Sequence, residues 1–342
     1  MTQKLDQQII AMPKVSLHEH LDGGLRVDTL LALALQQNVP LPALSVEELR
    51  EWFKRRVASG SLVSYLESFE LTVPAMSTVD ACERVAYELA QDAYVDGCVL
   101  AEFRLVPSLM AAHGMSLHGV VESVLQGLQK SQIPCGLILC GMRQLDPSET
   151  LETAILAAHY RDQGVVGFDL AGPEVGYPAT LHRAAINRAL TAGLGVTLHA
   201  GEADHGGRVL DAARLGAHRV GHGIRAGFDT RYLSDPTLRN LHFEICPSSN
   251  VHTGVAPSLS ALPIPALIAA GLSISISTDN RLMSDTTLVE EIQAIHNTFD
   301  VGVATLSAMQ IAGVRASFLP SDVKTQAEAK ISAWQQANGL QA

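Results

Sequence analysis

His18-Glu19-His20 puts two imidazoles at alternate positions of one short β-rich run. Side chains alternate faces along a strand, so His18 and His20 project to one side and Glu19 to the other, and the pair can bind one metal ion. The spacing differs from the helical His-Glu-x-x-His of zinc proteases, whose ligands stand one turn apart. Three further β-rich runs end in residues of the same chemistry: His199-Ala200-Gly201-Glu202, His222-Gly223 and Thr278-Asp279-Asn280. Imidazoles with one carboxylate and an open position suit a catalytic zinc rather than a closed structural site. The five cysteines are odd in number and lack any Cys-x-x-Cys pair, which argues against a disulfide framework and a thiolate site alike. The remaining histidines, among them His113, His205 and His242, fall in helices, loops or strand starts and receive no role.

Residues so far apart meet only if the elements carrying them converge. Eight β-rich runs are legible, at 14–18, 98–104, 135–142, 165–170, 195–199, 219–222, 242–246 and 273–278. From about residue 95 they alternate with helical patterns, as in a parallel sheet with helices on its faces. The fold class this predicts is α/β, a (β/α)8 barrel, whose active site lies at the C-terminal ends of the strands. Asp146-Pro147-Ser148-Glu149 reads as a capping box with proline at the first helical position. Gly164, Gly193, Gly216 and Gly271 stand where a helix must end before the next strand. Some eighty residues separate the first two strands, more than one crossover needs, so a helical cap is expected at about 25–95. Leu62, Tyr65, Leu66 and Phe69 have helical spacing there. No linker, repeat or low-complexity stretch divides residues 1–342, so one domain is expected.

Composition narrows the class. Apolar residues are 47% and charged residues 17% of the chain, so it can bury a large core and is globular rather than disordered. A formal charge of −11, spread along the chain, would repel a nucleic acid. The first twelve residues lack the basic start and apolar run of a signal peptide, and no apolar stretch reaches the roughly 20 residues that span a bilayer. A cytoplasmic enzyme with a small-molecule substrate and no membrane partner is the expectation.

The segments Pro13-Lys14-Val15-Ser16-Leu17-His18-Glu19-His20-Leu21-Asp22-Gly23, His199-Ala200-Gly201-Glu202, Val220-Gly221-His222-Gly223 and Ser277-Thr278-Asp279 resemble the motifs of the adenosine deaminase family. The resemblance runs from Pro13 to beyond Met283. It implies one zinc ion held by His18, His20, His199 and Asp279, with water as the remaining ligand; zinc lowers the pKa of that water towards neutrality. It implies also that His222 orients and deprotonates the water, that Asp279 accepts a hydrogen bond from it, and that Glu202 protonates purine N1 so that C6 can be attacked. Such a donor needs a raised pKa, so Glu202 should be shielded. For recognition it points to Asp22 near the ribose hydroxyls, the Gly172 backbone N–H at N3, and the Ser248-Ser249-Asn250 segment at the site mouth. The implied activity is hydrolytic deamination of adenosine and 2′-deoxyadenosine.

The family's best-known members carry two aspartates after the last strand, and here the second is Asn280, whose amide donates to purine N7 at any pH. Alternatives stay open. Adenine, an N6-substituted aminopurine nucleoside or nucleotide, or aminodeoxyfutalosine would use the same chemistry. A two-metal hydrolase would need a bridging residue at the end of the fourth strand, where there is no lysine but Asp169 stands. A purine-binding barrel without catalysis would use the same fold. The Cys-based zinc deaminases of nucleic-acid bases are excluded, since their His-x-Glu and Pro-Cys-x-x-Cys pairing is absent. Glu19, on the face away from the metal, requires a polar partner that the sequence does not name.

Overall fold

The computed structural model describes residues 2–57 and 65–340, with side chains from residue 6. Leu62 therefore lies outside the described residues. Eight strands run in sequence order: β1 (Lys14–Ser16), β2 (Cys98–Leu105), β3 (Cys135–Met142), β4 (Val165–Ala171), β5 (Gly195–Ala200), β6 (Arg219–His222), β7 (His242–Ile245) and β8 (Ser273–Ile276). Each pairs in parallel with the next. The strands are buried along nearly their whole length, which is why they read as apolar runs and not as alternating ones. This is the expected (β/α)8 barrel.

β7 ends one residue before its expected limit, while β1 and β8 each stop two residues short, and these two for one reason. After Ser16 and after Ile276 the backbone leaves the regular ladder, and the two departing segments pair with each other. The Asp279 N–H donates to the His18 carbonyl at 3.0 Å, and the His20 N–H donates to the Asp279 carbonyl at 2.7 Å. Glu19 and Asp279 form the parallel bridge that brings the two ends of the sheet together, while His20 bridges Arg104 of β2. The seam of the barrel thus coincides with His18, His20 and Asp279.

Between β1 and β2 lie the helices Val27–Gln37, Val46–Val57, Phe69–Met76 and Val79–Val95. In Val79–Val95 the side chains of Ala81, Cys82, Val85, Ala86, Leu89, Ala90 and Ala93 are buried, a stripe at three- and four-residue spacing. The helix Pro147–His159 begins as expected with Asp146 as its cap. The reciprocal box does not form, because the Asp146 carboxylate takes the Ser148 N–H and the Ser148 hydroxyl, at 2.8 and 2.6 Å. Among the described residues, no helix is long and apolar enough to cross a membrane, and the cysteines are unpaired.

The barrel interior is not wholly apolar. Lys14, Arg104 and Arg219 are among its largest fully buried side chains, with Glu102, Asp169 and Glu244 at 0% exposure beside them. Buried charge survives only when paired and hydrogen-bonded. Arg104 donates to Asp169 at 2.7 Å and to Glu244 at 2.8 Å, and Arg219 pairs with Glu102 and Glu244 at 2.7 and 2.6 Å.

Candidate functional site

Strand direction delivers four ligand atoms to one point. His18, His20, His199 and Asp279 are buried, and one ligand atom from each lies within 4.8 Å of the others. His20 Nε2 and His199 Nε2 are 3.3 Å apart; Asp279 Oδ1 is 3.3 Å from His18 Nε2 and 3.5 Å from His20 Nε2. Donors around one tetrahedral cation with bonds of about 2.0–2.2 Å have such separations. His18 Nε2 is buried with no hydrogen-bond partner, as a nitrogen reserved for a cation would be. The residues present fit zinc.

The opposite ring edges are tied down. His18 Nδ1 meets Glu244 Oε2 at 2.7 Å, and His199 Nδ1 meets Asp169 Oδ2 at 2.9 Å. Each carboxylate fixes the tautomer that leaves Nε2 facing the centre. Arg104 joins the two carboxylates, giving one chain of contacts, His18–Glu244–Arg104–Asp169–His199. Asp169, weighed above as a bridging ligand, is thus occupied by His199 and Arg104. Burial lowers the pKa of His20 and of His199, keeping both rings neutral as ligands must be. His18 moves the other way: burial opposes its protonation, but the Asp279 and Glu244 carboxylates beside it raise its pKa.

Glu202 lies two residues past the end of β5, beyond His199, and His222 ends β6. Glu202 is 6% exposed, and burial, with Asp279 and Glu174 adding to it, raises its pKa to about 8. His222 Nε2 lies 3.8 Å from Glu202 Oε2, and burial lowers the His222 pKa well below the usual imidazole range. Both His222 and Asp279 hold positive φ, 61° and 63°. Such backbone costs a non-glycine residue about 1–3 kcal/mol and gathers at functional sites. At Gly221, by contrast, a Cβ would come within 2.7 Å of His18 Cε1, so glycine is what lets the His18 ring lie against β6.

These groups open into a cavity of about 540 Å³. Its floor is His20, His199, His222 and Asp279, and its walls include Asp22, Glu202, Gly172 and Asn280. The expected ligands, Glu202, His222, Asp22, Gly172 and Asn280 are therefore in the lining of this cavity or, for His18, directly beneath it. Tyr65, Leu66, Phe69 and Val73, from the segment between β1 and β2, also line it, Tyr65 buried beside Asn280 and Ser249. Burial raises the Asp22 pKa to about 7, and its Oδ1 has no hydrogen-bond partner. Gly172 has φ +94° and lies against the Gln144 side chain.

The Ser249-Asn250 pair sits behind the site and not at its mouth. The Ser249 hydroxyl donates to Asp279 Oδ2 at 2.6 Å, and the Asn250 amide meets His222 Nδ1 at 3.0 Å. Ser248 is turned away, its N–H donating to Glu291 at 3.1 Å. Glu19 has its partner in Arg281, which binds both of its carboxylate oxygens and also Asp96, the latter at 2.7 Å. Sequence reasoning missed Arg104, Glu244, Glu174, Gln144 and Arg281. A charge inside a β-rich run, as at Arg104 and Glu244, was the available signal, since it must find a buried partner. His113 lines the outer cavity although no role was given to it.

The family described as adenosine deaminase matches residues 13–334 of the chain. An adenosine deaminase of Mycobacterium avium (strain 104) is 39% identical over 342 residues, covering 92% of this chain and 93% of the relative. The solved Arabidopsis N6-mAMP deaminase MAPDA has a TM-score of 0.84 at 25% identity, over 96% of this chain and 99% of its own. The adenine deaminase of Arthrobacter aurescens has a TM-score of 0.85 at 24% identity, over 95% and 100% of the two chains, a likeness of fold.

Proposed function

The chain belongs to the adenosine deaminase family and is a hydrolytic aminohydrolase, and from that premise we propose that it converts adenosine and 2′-deoxyadenosine to the 6-oxopurine nucleosides and ammonia. The observation that carries the reading is Glu202: a buried carboxyl group with a pKa of about 8, in the wall of the cavity whose floor is the ligand cluster.

His18, His20, His199 and Asp279 would hold the zinc. Zinc bound by this set supplies a strong oxygen nucleophile near neutral pH and a positive charge beside the carbon under attack. Below its pKa Glu202 is an acid, and it gives its proton to N1 as water adds through oxygen to C6. His222 takes the proton that the water sheds. The Asn250 amide nitrogen faces Nδ1 at 3.0 Å; a half-turn of that amide, which presents its oxygen instead, would put the ring proton on Nδ1 and leave Nε2 free as the base. Collapse of the adduct breaks the C6–N6 bond; ammonia leaves with the proton held by His222, and the C6 hydroxyl proton restores Glu202 to its acid form.

Asp22, with an unpartnered oxygen and 3.9 Å from His20, supports a bound sugar hydroxyl and so a nucleoside over free adenine. Nucleotides are the second reading, because the Arabidopsis neighbour is an N6-mAMP deaminase. The lining argues against them: among the described residues it includes no lysine or arginine but does include Asp22, Glu70 and Glu202. A phosphate of charge about −1.5 to −2 would find no counter-charge there.

The test is the ultraviolet change of zinc-loaded protein with adenosine, adenine, AMP and N6-methyl-AMP, each beside a chelator-treated control. Chelator-sensitive turnover of adenosine well above the rest is the expected result. Turnover of AMP or N6-methyl-AMP ahead of adenosine would reject the nucleoside reading while keeping the chemistry. No turnover of any of them by zinc-loaded protein would reject these substrates and send the search to another 6-aminopurine such as aminodeoxyfutalosine.

A further inference from the structure

Glu174, in the loop after β4, is 2% exposed and spends its whole carboxylate on the backbone of one neighbouring loop. Oε1 accepts from the Gly201 N–H at 2.6 Å; Oε2 accepts from the N–H groups of Glu202, Ala203 and Asp204 at 3.0, 2.8 and 2.8 Å. Residues 201–204 form neither helix nor strand. Without Glu174, four consecutive donors would have no local acceptor at the wall of a buried site. The carbonyl side of the same loop is held from the other direction. Arg225 donates from its backbone N–H to the Gly201 carbonyl at 3.0 Å and from Nε to the Glu202 carbonyl at 2.7 Å. A carboxylate from the β4 loop and a guanidinium from the β6 loop therefore grip opposite sides of the segment that carries Glu202.

From this geometry we infer that Glu174 is a positioning residue for the proton donor: by holding four N–H groups it sets the Glu202 backbone and hence the place of the Glu202 carboxyl group in the cavity. The inference rests on the reading of Glu202 as that donor. A loop needs no such clamp merely to close. β5 is already paired with β6 from Thr197 to Ala200, and only two residues separate the last clamped N–H from helix Gly207–Arg214. What the clamp adds is exactness at residue 202, and a displacement of about 1 Å at a reacting group can cost about 100-fold in rate. The carboxylate has a second effect through space. It stands beside Glu202 as a negative charge and joins burial and Asp279 in favouring the protonated form that the donor requires. Glutamine in its place would remove that charge, and its NH₂ would face backbone donors.

The experiment is a double-mutant cycle on the zinc-loaded enzyme with adenosine: Glu174→Gln, Glu202→Gln and the pair, with Glu174→Asp as the conservative variant. It reads kcat, KM, zinc content and melting temperature. Expected for Glu174→Gln is a fall in kcat of about 10- to 100-fold, a KM within about threefold of the parent, and an unchanged zinc content. Glu174→Asp recovers most of the lost rate. In the Glu202→Gln background Glu174→Gln costs nothing more, because the group it positions is gone. An equal loss in both backgrounds overturns the inference, as does an unchanged kcat in Glu174→Gln. If Glu202→Gln itself turns over at the parental rate, the donor reading fails, and the inference with it. Should Glu174→Gln not fold, Glu174→Ala is taken through the same cycle: a kcat loss that vanishes beside Glu202→Gln supports the inference, and a loss that persists, or none, overturns it.

Discussion

The floor of the cavity is made of strand-end residues whose outer atoms are held by polar partners, charged or neutral, whereas much of its wall is apolar side chains from the long segment between β1 and β2. On the floor, His18 leans on Glu244, His199 on Asp169, and Arg104 ties those two carboxylates together. In the wall, Leu66, Phe69 and Val73 offer contact without direction. The difference divides the labour. A metal centre tolerates little displacement of its ligands and is built where rigid strands converge. A substrate must enter and leave, so its outer contacts come from a segment that is not part of the barrel. Breaking the floor should remove chemistry or metal; trimming the wall should weaken binding alone.

The largest effect should come from Glu202, where floor and wall meet. Glu202→Gln should lower kcat by about 10²–10⁴-fold, the usual contribution of a general acid, in steady-state assays of zinc-loaded protein. Its pKa is raised, so the parent enzyme has its acid form below about pH 8 and loses it above. The rate should accordingly fall as pH rises through that value, by about tenfold per unit beyond it, and a flat profile up to pH 10 would contradict the assignment. Asp169→Asn comes next. It breaks the second contact of a metal-binding histidine, and zinc affinity measured against a competing chelator should weaken about 10- to 100-fold.

Phe69→Ala tests the wall. It should raise KM for adenosine about fivefold with kcat nearly unchanged, the mark of lost uniform binding. If Phe69→Ala released zinc as readily as Asp169→Asn does, the division between floor and wall would collapse. Asn280→Asp should act least. An aspartate donates to N7 only when protonated, so its kcat/KM should fall below the parent's increasingly as pH rises. Superimposable profiles would take the N7 contact away from residue 280.

The eight strands and the residues at their ends were legible because each signal is local. Rare residue types at the ends of β-rich runs need no knowledge of the partner strand to be noticed. What escaped was pairing across the barrel. Glu19 was visibly in want of a partner, yet Arg281 stands 262 positions away and nothing near it marks the match. Asp169 could be seen, but whether it bridged metals or oriented His199 depended on Arg104 and His199, both distant in sequence. Asn250 and Ser249 were placed at the mouth by the family resemblance, whereas the chain turns there into the helix Pro247–His252 and carries them behind His222 and Asp279. Glu174 lay within a segment already singled out for Gly172, and only the fold shows which backbone it grips.

The coincidence of barrel seam and ligand cluster has a meaning for the order in which the protein is made. His18 and His20 emerge early in synthesis, but the carboxylate that completes their set and the N–H and carbonyl that close the sheet belong to the same late residue, Asp279. Chains are built from the N-terminus at about 5–20 residues per second, so for most of the time on the ribosome the growing polypeptide has an incomplete ligand set, first two histidines and then, with His199, three. Specific capture of a metal ion is thereby deferred until the last strand docks on the first, and a truncated chain ending before β8 can have neither a closed barrel nor a complete centre.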